Sequence, residues 1–400
     1  MNFKIVRWVD IYLGIPFIFL FYLVKGSSLK KRMIKSPQVL RKILLVKFWG
    51  VGNVLMLLPS AAALKNTYPD AKIDFLTLSI NSEVSRAAGI FDNIYTLDIR
   101  GMVRLFVSLK NNLTALTNSG YDLIIDFEQF ARFSALLCAL IGNKRTIGFL
   151  TKGQHRHFIY TDTVVYNNNI HITQSFYNLV KVAGVKDGFL LEPAVFLSCE
   201  SRMPEVKKML ESAGIKPDDT LIILHPGTSE NFSLRRWPPE YFASLADKLI
   251  NSFSAKIIFT GVSREAELVK KILNNMENKQ QALDLSGKLD FSQLVCLIKS
   301  SSLVISADTA PVHLASCLAI PVAGLYGPNT PFLYGPWGRQ KQIWFYKGLA
   351  CSPCITNYNA KMNKCRHPQG AGACMRQIGV EEVFSRIKKN FFDAERMLRV

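Results

Sequence analysis

The sequence is short of acidic residues: it holds 30 Asp and Glu against 49 Lys and Arg, a formal net charge of +19. A surplus of this size predicts an anionic partner, such as a nucleic acid, an anionic membrane surface or a phosphorylated substrate. The sequence also lacks any block in which basic and aromatic residues alternate, which argues against a nucleic-acid platform. We therefore expect a membrane surface together with a phosphate-bearing substrate.

The sequence lacks the cysteine pattern of a secreted disulfide scaffold. Four of its eight cysteines are dispersed, at Cys138, Cys199, Cys296 and Cys317, and we expect a reducing compartment. Disorder is excluded, because 49% of the residues are hydrophobic and only 20% are charged. A chain of 400 residues is too long for one ordinary core and predicts two domains.

The N-terminal region also lacks an uncharged stretch of the roughly 20 residues that a membrane-spanning helix needs. Residues 11–24 carry no charge, but Gly14 and Pro16 interrupt them, and basic residues flank them on both sides. A signal peptide is disfavoured because no convincing A-x-A cleavage site follows. The segment best fits a monotopic anchor with basic flanks on anionic head groups. The alternative is a hydrophobic helix docked on the protein itself.

The N-terminal half alternates short apolar runs with helical patterns, which predicts a parallel, doubly wound α/β sheet. The predicted elements are a strand at Lys42–Lys47, helices at Val54–Lys65 and Arg132–Ile141, a strand at Lys72–Leu78, and a strand that delivers Asp126 and Glu128 at its C-terminal end. The turn after the first strand carries Gly50 and Gly52 but is not a G-x-G-x-x-G fingerprint. By itself it indicates only a tight strand–helix turn.

The C-terminal half contains a compact strand–helix–strand unit at 302–328. Asp308 and Thr309 are good N-cap residues, and Pro311 suits the first turn of a helix that must end before Pro321. Such a helix N-terminus, at the C-terminal edge of a parallel sheet, can bind a phosphate or diphosphate. The plainer interpretation is that Asp308 and Thr309 only cap the helix and His313 packs beside it.

A second anion-binding pattern precedes this unit. The strand Leu221–His225 ends in a loop with Gly227 and Thr228, and the adjacent pair Arg235 and Arg236 opens a helix. Two guanidinium groups can clamp phosphate oxygens. They could instead be solvated, although a helix start is a poor place for cations unless an anion also binds there. The next strand ends at Gly261.

The remaining cysteines cluster near the C-terminus, as Cys351, Cys354, Cys365 and Cys374, with His367 as a spare ligand candidate. Four thiolates could hold a structural zinc ion, but the spacing is only partly zinc-like, so disulfides or free thiols remain alternatives. The predicted organisation is a hydrophobic and basic membrane-associating segment (1–38), an N-terminal domain (39–185), a C-terminal domain (196–348), a Cys-rich segment (349–377) and a C-terminal helix (378–400).

Taken in order, these segments resemble glycosyltransferase family nine, the lipopolysaccharide heptosyltransferase family. The motifs that carry the resemblance are KILLVK with Gly52-Asn53-Val54, YDLIID ending at Asp126, HPGT ending at Thr228, RRWP from Arg235, LSG ending at Gly287, DTAPVHLA from Asp308, and GPNTP from Gly327. Each motif is weak alone, but their common order is specific. The resemblance implies a GT-B fold, with two Rossmann-like parallel-sheet domains facing a cleft.

The resemblance also implies the chemistry. It implies an ADP-heptose donor in the C-terminal half, a lipid A–core acceptor at the N-terminal half, and inverting, metal-independent transfer without a required cofactor at the cytoplasmic face of the bacterial inner membrane. The donor-binding residues implied by the motifs and strand ends are Gly227, Thr228, Arg235, Arg236, Gly261, Asp308, Thr309, Ala310 and His313.

This sequence departs from the family pattern at the position of the catalytic base. The family pattern has aspartate where this chain has Asn53, and an amide cannot accept the proton of the acceptor hydroxyl. Asp126 or Glu128 could replace it, with Asn53 holding a substrate by hydrogen bonds. The chain could also be an inactive relative that binds a nucleotide sugar, whereas a nucleic-acid-binding role is disfavoured because the basic residues are spread.

Overall fold

The computed structural model describes residues 10–32, 39–142, 145–186, 197–228, 230–355 and 365–393. The chain divides into two compact units, Met1–Leu191 and Glu192–Val400. The predicted N-terminal segment belongs to unit 1, and the Cys-rich segment and C-terminal helix belong to unit 2. The stretch between the two predicted domains, 186–195, lies outside the described residues except for its first residue.

Unit 1 is built on a six-stranded sheet in the order β3-β2-β1-β4-β5-β6, and all neighbouring strands run parallel. The strands are β1 Lys42–Val46, β2 Lys72–Leu78, β3 Asn93–Leu97, β4 Leu123–Asp126, β5 Arg145–Leu150 and β6 Asp162–Val165. The helices are α1 Gly14–Arg32, α2 Val51–Thr67, α3 Ser82–Ala87, α4 Met102–Asn118, α5 Arg132–Ile141 and α6 Ile172–Val182.

Unit 2 repeats this topology, with strand order β12-β11-β10-β7-β8-β9. Its strands are β7 Leu221–His225, β8 Lys256–Phe259, β9 Ala282–Asp284, β10 Leu303–Ala307, β11 Val322–Tyr326 and β12 Gln342–Tyr346. Its helices are α7 Met203–Ser212, α8 Pro239–Phe253, α9 Ala266–Asn274, α10 Phe291–Lys299, α11 Ala310–Cys317, α12 Pro331–Tyr334, α13 Ala373–Arg376 and α14 Val380–Ile387. The predicted α/β class with two parallel sheets is confirmed.

Both sheets are covered on their faces by helices, which is why their strands are continuous apolar runs rather than alternating ones. All four residues of β4 and all five of β10 and β11 are buried. In unit 2 the core also includes the C-terminal segment, since buried Trp237 donates its indole N–H to the Ile378 carbonyl at 2.8 Å.

The predicted C-terminal helix contains a π-helical turn. Helix α14, Val380–Ile387, continues directly into the turn Lys388–Phe392. Residues 394–400 lie outside the described part of the chain. Phe392 stacks on Phe253 of α8, with ring centroids 3.9 Å apart, so the wider turn places an aromatic ring against the core.

Candidate functional site

In each unit, two strands that are distant in sequence lie side by side where the strand order reverses. These pairs are β1 with β4 and β7 with β10. Loops that leave parallel strands at such a switch point form the crevice in which α/β proteins bind ligands. The predicted site residues follow these four strands: Asn53 and Asp126 in unit 1, and Thr228 and Asp308 in unit 2.

The centre of the unit 2 site is an ion pair between Arg235 and Asp308. Their closest atoms, Nη1 and Oδ2, are 3.2 Å apart, and the side chains are only 15% and 5% exposed. Arg235 Nη1 also donates to the Asp308 backbone carbonyl at 3.1 Å. Asn329 Nδ2 donates to the same carboxylate oxygen at 2.8 Å. Asp308 is therefore held by a cation and an amide at the entrance to α11.

These contacts argue against the plainer interpretation, in which the side chains of Asp308 and Thr309 only cap α11. Thr309 takes the N-cap position with an extended backbone, but makes no side-chain cap hydrogen bond. Its hydroxyl lies 2.9 Å from Ser306 Oγ and donates to the Ala307 carbonyl. Asp308 instead pairs with Arg235, which lies 73 residues away, and Thr309 bonds within the end of β10. Both side chains thus have partners other than the first-turn N–H groups of α11.

Arg236 has a different environment from its neighbour Arg235. Its Nε donates to Thr228 Oγ1 at 3.2 Å, and its Nη2 approaches the Thr228 carbonyl at 3.4 Å. The two arginines thus reach two different strand-end loops, the one after β7 and the one after β10. The sequence predicted both as an anion clamp; the structure places them at one edge of the sheet.

The glycines of the unit 2 site leave room for a buried carboxylate. A Cβ atom on Gly227 would lie 2.2 Å from the carboxyl carbon of Glu265, and one on Gly261 would lie 3.1 Å from its Oε2. Glu265 Oε2 accepts the backbone N–H of Val262 at 2.9 Å. Close approach of Glu265 therefore favours glycine at position 227, whereas a Cβ on Gly261 would need Glu265 to shift by a few tenths of an ångström.

The remaining predicted donor residues surround the same edge. Ala310 begins α11, and His313 is buried on that helix. His225, at the end of β7, pairs its Nδ1 with Thr260 Oγ1 at 3.0 Å. Burial lowers the pKa of His225 to about 4, so the ring is neutral at neutral pH.

Sequence reasoning assigned no role to Asn329 or Glu265. Asn329 lies in the GPNTP segment, which supported the resemblance but suggested no partner. Its contact with Asp308 depends on β10 and β11 being adjacent strands. Glu265 had no signal, because an acidic residue at a helix start is commonplace.

The unit 1 edge is a closed network of buried charges. The carboxylate of Asp126 is fully buried; its Oδ2 lies 2.7 Å from Arg156 Nη2 and accepts from the hydroxyls of Ser134 and Tyr160, each also at 2.7 Å. Burial would lower the pKa of Arg156, but Tyr160, Asp126 and Glu128 outweigh it and raise that pKa. Asp126 is thus enclosed by partners.

Glu128 is also engaged. Its Oε2 lies 3.0 Å from Lys47 Nζ, and its Oε1 accepts the backbone N–H groups of Phe48 and Trp49 at 2.6 and 2.9 Å. Burial would raise the pKa of Glu128, but Lys47 and these N–H groups hold it below its usual range. A carboxylate stabilised in this way is a weak base. Glu128 instead fixes the turn that leads to Asn53.

Asn53 is oriented by that turn. Its Nδ2 donates to the Trp49 carbonyl at 3.1 Å, and its Oδ1 is buried without a hydrogen-bond partner among the described residues. Gly50, with φ of 90°, allows the approach, since a Cβ there would lie 2.9 Å from Asn53 Nδ2. The amide therefore presents an acceptor oxygen whose hydrogen bond is not satisfied.

The family model for glycosyltransferase family 9 (heptosyltransferase) matches residues 111–364, which is more than half of the chain. This chain belongs to glycosyltransferase family 9. The predicted resemblance is confirmed, and with it the assignment to a glycosyltransferase family whose curated members act in lipopolysaccharide synthesis.

Comparisons with individual proteins agree with the assignment of this chain to family 9. It is 26% identical to lipopolysaccharide heptosyltransferase 3 of Escherichia coli K12 over 316 residues, which cover 74% of this chain and 85% of that protein. The crystal structure of a family 9 glycosyltransferase from Veillonella parvula superposes with a TM-score of 0.72 at 21% identity, covering 88% of this chain and 97% of that one. An Escherichia coli heptosyltransferase solved with ADP-2-deoxy-2-fluoro heptose superposes with a TM-score of 0.66 at 19% identity, covering 87% and 99%. These superpositions confirm the GT-B-like fold.

The cysteine cluster of this family 9 chain packs beside the loop that follows β11 and begins at Gly327. The backbone N–H of Cys354 donates to the Pro328 carbonyl at 2.9 Å, and a Cβ on Gly327 would lie 2.8 Å from Cys374 Sγ. Burial, reinforced by the neighbouring thiols, raises the pKa of Cys374 to about 11. Within the described ranges, no three His, Cys, Asp or Glu side chains form a group that could hold a metal ion. The structural zinc predicted for Cys351, Cys354, Cys365 and Cys374 stays a prediction.

The N-terminal hydrophobic segment forms α1 and docks on unit 1. Asp10, just before it, lies 3.2 Å from Arg132 Nη1 and accepts the backbone N–H of Phe133 at 2.9 Å. Ile18 is fully buried, and Gly14 lies against Arg132, where a Cβ would be 2.9 Å from its Cβ. Within the described part of the chain, no helix is long and apolar enough to cross a membrane.

Proposed function

We propose that this chain transfers a heptose, or a similar sugar, from an ADP-sugar donor to a lipopolysaccharide core or related glycolipid acceptor. The transfer inverts the anomeric carbon and requires no metal ion. The family assignment, the name of the Escherichia coli relative and the ADP-sugar complex of the fold neighbour support this proposal. We further propose that the chain works at the cytoplasmic face of the inner membrane as a peripheral or monotopic protein.

The observation that carries the proposal is the Arg235–Asp308–Asn329 group at the N-terminus of α11. When the sugar leaves its donor, negative charge develops on the diphosphate, and fixed positive groups stabilise that charge. Arg235 neutralises the Asp308 carboxylate, which would otherwise repel the diphosphate. The first-turn N–H groups of α11 and the remaining donors of the Arg236 guanidinium then face the anion.

We assign Asn53 a positioning role. Its unsatisfied Oδ1 accepts a hydrogen bond from the acceptor hydroxyl, which orients the oxygen toward the anomeric carbon. As the new C–O bond forms and the bond to the diphosphate breaks, the hydroxyl proton passes to water. Asp126 and Glu128 do not serve as the base in this scheme, because both are buried in ion pairs.

The test is to incubate the purified chain with ADP-heptose and a truncated core acceptor, and to measure ADP release and product mass. Acceptor-dependent ADP release that persists in EDTA is expected, with inversion read from the anomeric proton signals of the product. The second candidate is a nucleotide-sugar-binding relative without activity, favoured by Asn53. Donor binding without ADP release at high enzyme concentration would establish that candidate and reject transfer.

A further inference from the structure

Large apolar side chains on the surface of the described residues concentrate on three helices of unit 1. On α1 they include Phe17, Leu20 and Leu23, and on α5 the exposed one is Leu140. The outer face of α4 carries four more, at Met102, Val103, Phe106 and Val107. Val103 is 76% exposed and Phe106 66% exposed. A concentration of exposed apolar side chains of this kind indicates an interaction site.

The three helices lie side by side on one face of the unit 1 sheet. On one flank of α5, Ala135 packs against Ile18 of α1. On its other flank, Leu137 packs in one cluster with Leu116 of α4 and the strands β1 and β2. The outward faces of α1 and α4 therefore point away from the same side of the sheet, with Leu140 between them.

The outer face of α4 is not needed for the core. Its inward side already supplies buried or half-buried leucines at Leu105, Leu109, Leu113 and Leu116, which repeat with helical spacing. Of the exposed apolar residues in the first two turns, Val103 and Val107 lie opposite these leucines, and Met102 and Phe106 lie beside them. An exposed helix face with a second apolar stripe is typical of helices that lie in a membrane interface.

The charged residues of these helices indicate which kind of partner the apolar surface binds. None of α1, α4 and α5 contains an Asp or Glu, although the whole chain has 30 of them. Exposed Arg104 and Lys110 lie on α4, next to its apolar face. Apolar side chains bordered by basic residues, on helices that carry no carboxylate of their own, match an anionic lipid surface. A second copy of the chain would bring the same basic residues against each other.

We propose that the outer face of α4 is a membrane-docking surface that acts beside α1, so that unit 1 rests on an anionic bilayer through two helices. The inference deepens the proposed membrane location and rests on it. The sequence pointed only to residues 11–24. The structure adds the α4 surface, because it places the exposed apolar residues of α4 on the same side of the sheet as α1.

The test uses flotation of the full chain with vesicles of phosphatidylcholine, with and without 30% phosphatidylglycerol. The variant Val103→Ser/Phe106→Ser removes the α4 surface and leaves α1 intact. We expect its partition coefficient on the anionic vesicles to fall about tenfold, because two apolar side chains are no longer buried. The variant Arg104→Gln/Lys110→Gln is expected to lose binding about tenfold on anionic vesicles only.

The matched control is Ile80→Ser/Val165→Ser, which removes two exposed apolar side chains elsewhere in unit 1 and is expected to bind vesicles as the unaltered chain does. ADP release with a soluble truncated acceptor is expected to be unchanged in the α4 variant. Failure of that release in the unaltered chain would reject the proposed function, whereas vesicle binding reports on the surface alone.

Two results would overturn the inference. One is vesicle binding by Val103→Ser/Phe106→Ser equal to that of the unaltered chain, or a loss of the same size in the control variant. The other is a dimer in sedimentation velocity that dissociates in the α4 variant, since the occupant of the surface would then be a second copy.

Discussion

The two units repeat one sheet topology but use charge differently at their switch points. In unit 1, Arg156 with Asp126 and Lys47 with Glu128 are buried pairs whose members are at most 4% exposed. In unit 2, Arg235 with Asp308 lies closer to the surface. Buried pairs with several hydrogen bonds can fix a loop, whereas a pair at a helix entrance can respond to a ligand. The same architecture thus holds a buried charge network in one unit and, in the other, the pair at which we propose that the donor binds.

The largest expected change in the free energy of unfolding comes from Asp126→Asn, which tests whether the unit 1 pair is structural. It leaves the Arg156 guanidinium buried without its counter-ion, and such losses cost about 3–5 kcal/mol of unfolding free energy. Urea denaturation should show this loss. The matched control Arg202→Gln breaks an exposed pair with Glu205 and should cost less than about 1 kcal/mol. Equal effects of the two substitutions would show that the unit 1 network is not structural.

The next largest expected effect is the pH dependence of the free energy of unfolding that His225 causes. Burial lowers its pKa from 6.5 to about 4, so the unfolded chain takes up the proton at a higher pH than the folded one. Its contribution to stability is therefore complete above about pH 6.5 and decreases as the pH falls toward 4, by at most about 3 kcal/mol.

Urea titrations of the unaltered chain and of His225→Gln between pH 4 and 7 measure this effect. The difference in unfolding free energy between the two proteins should vary with pH only within that window. A constant difference would show that the imidazole titrates alike in the folded and unfolded states.

Arg235→Gln tests the unit 2 pair. Loss of the guanidinium leaves the Asp308 carboxylate next to the diphosphate, and we expect ADP affinity in calorimetry to fall by about 1.5–3 kcal/mol. The double variant Arg235→Gln/Asp308→Asn removes both charges, so it distinguishes an effect of the unpaired Asp308 carboxylate from the loss of the guanidinium itself. Compared with Arg235→Gln, it should regain thermal stability but only part of the affinity for ADP. Complete recovery would mean that Arg235 acts only by neutralising Asp308.

The smallest effect is expected from Asn53→Asp. An ionised carboxylate at this position would face the Trp49 carbonyl instead of donating to it, which would raise its pKa in the folded chain. Relative to the unaltered chain, the free energy of unfolding of the variant should therefore be about 1 kcal/mol lower at pH 6 than at pH 3. Asn53→Ala, which loses the hydrogen bond without adding charge, is the control and should show no such dependence.

Turnover gives the second readout at this position. If Asn53 positions the acceptor, the aspartate variant should not exceed the unaltered chain in acceptor-dependent ADP release. A tenfold gain would restore the view that a carboxylate base belongs at this position.

The sequence by itself determined the α/β class, the two sheets, most strand bounds and the family, because buried parallel strands are continuous apolar runs and ordered motifs are specific. Strand β2 was predicted to the residue, and so was α5. Residue types also placed Arg235, Asp308 and Asn53 among the site candidates, since charge and amide chemistry can be read directly.

Only the tertiary structure decided what those side chains do. The plainer interpretation of Asp308 was a helix cap, yet its side chain pairs with Arg235 and Asn329, which lie 73 and 21 residues away in the sequence. Asp126 was one of two candidates for a replacement base, with Glu128, and the fold encloses its carboxylate with Arg156. A hydrogen-bond partner is chosen among all groups within 3 Å in space, and sequence spacing gives no access to that competition.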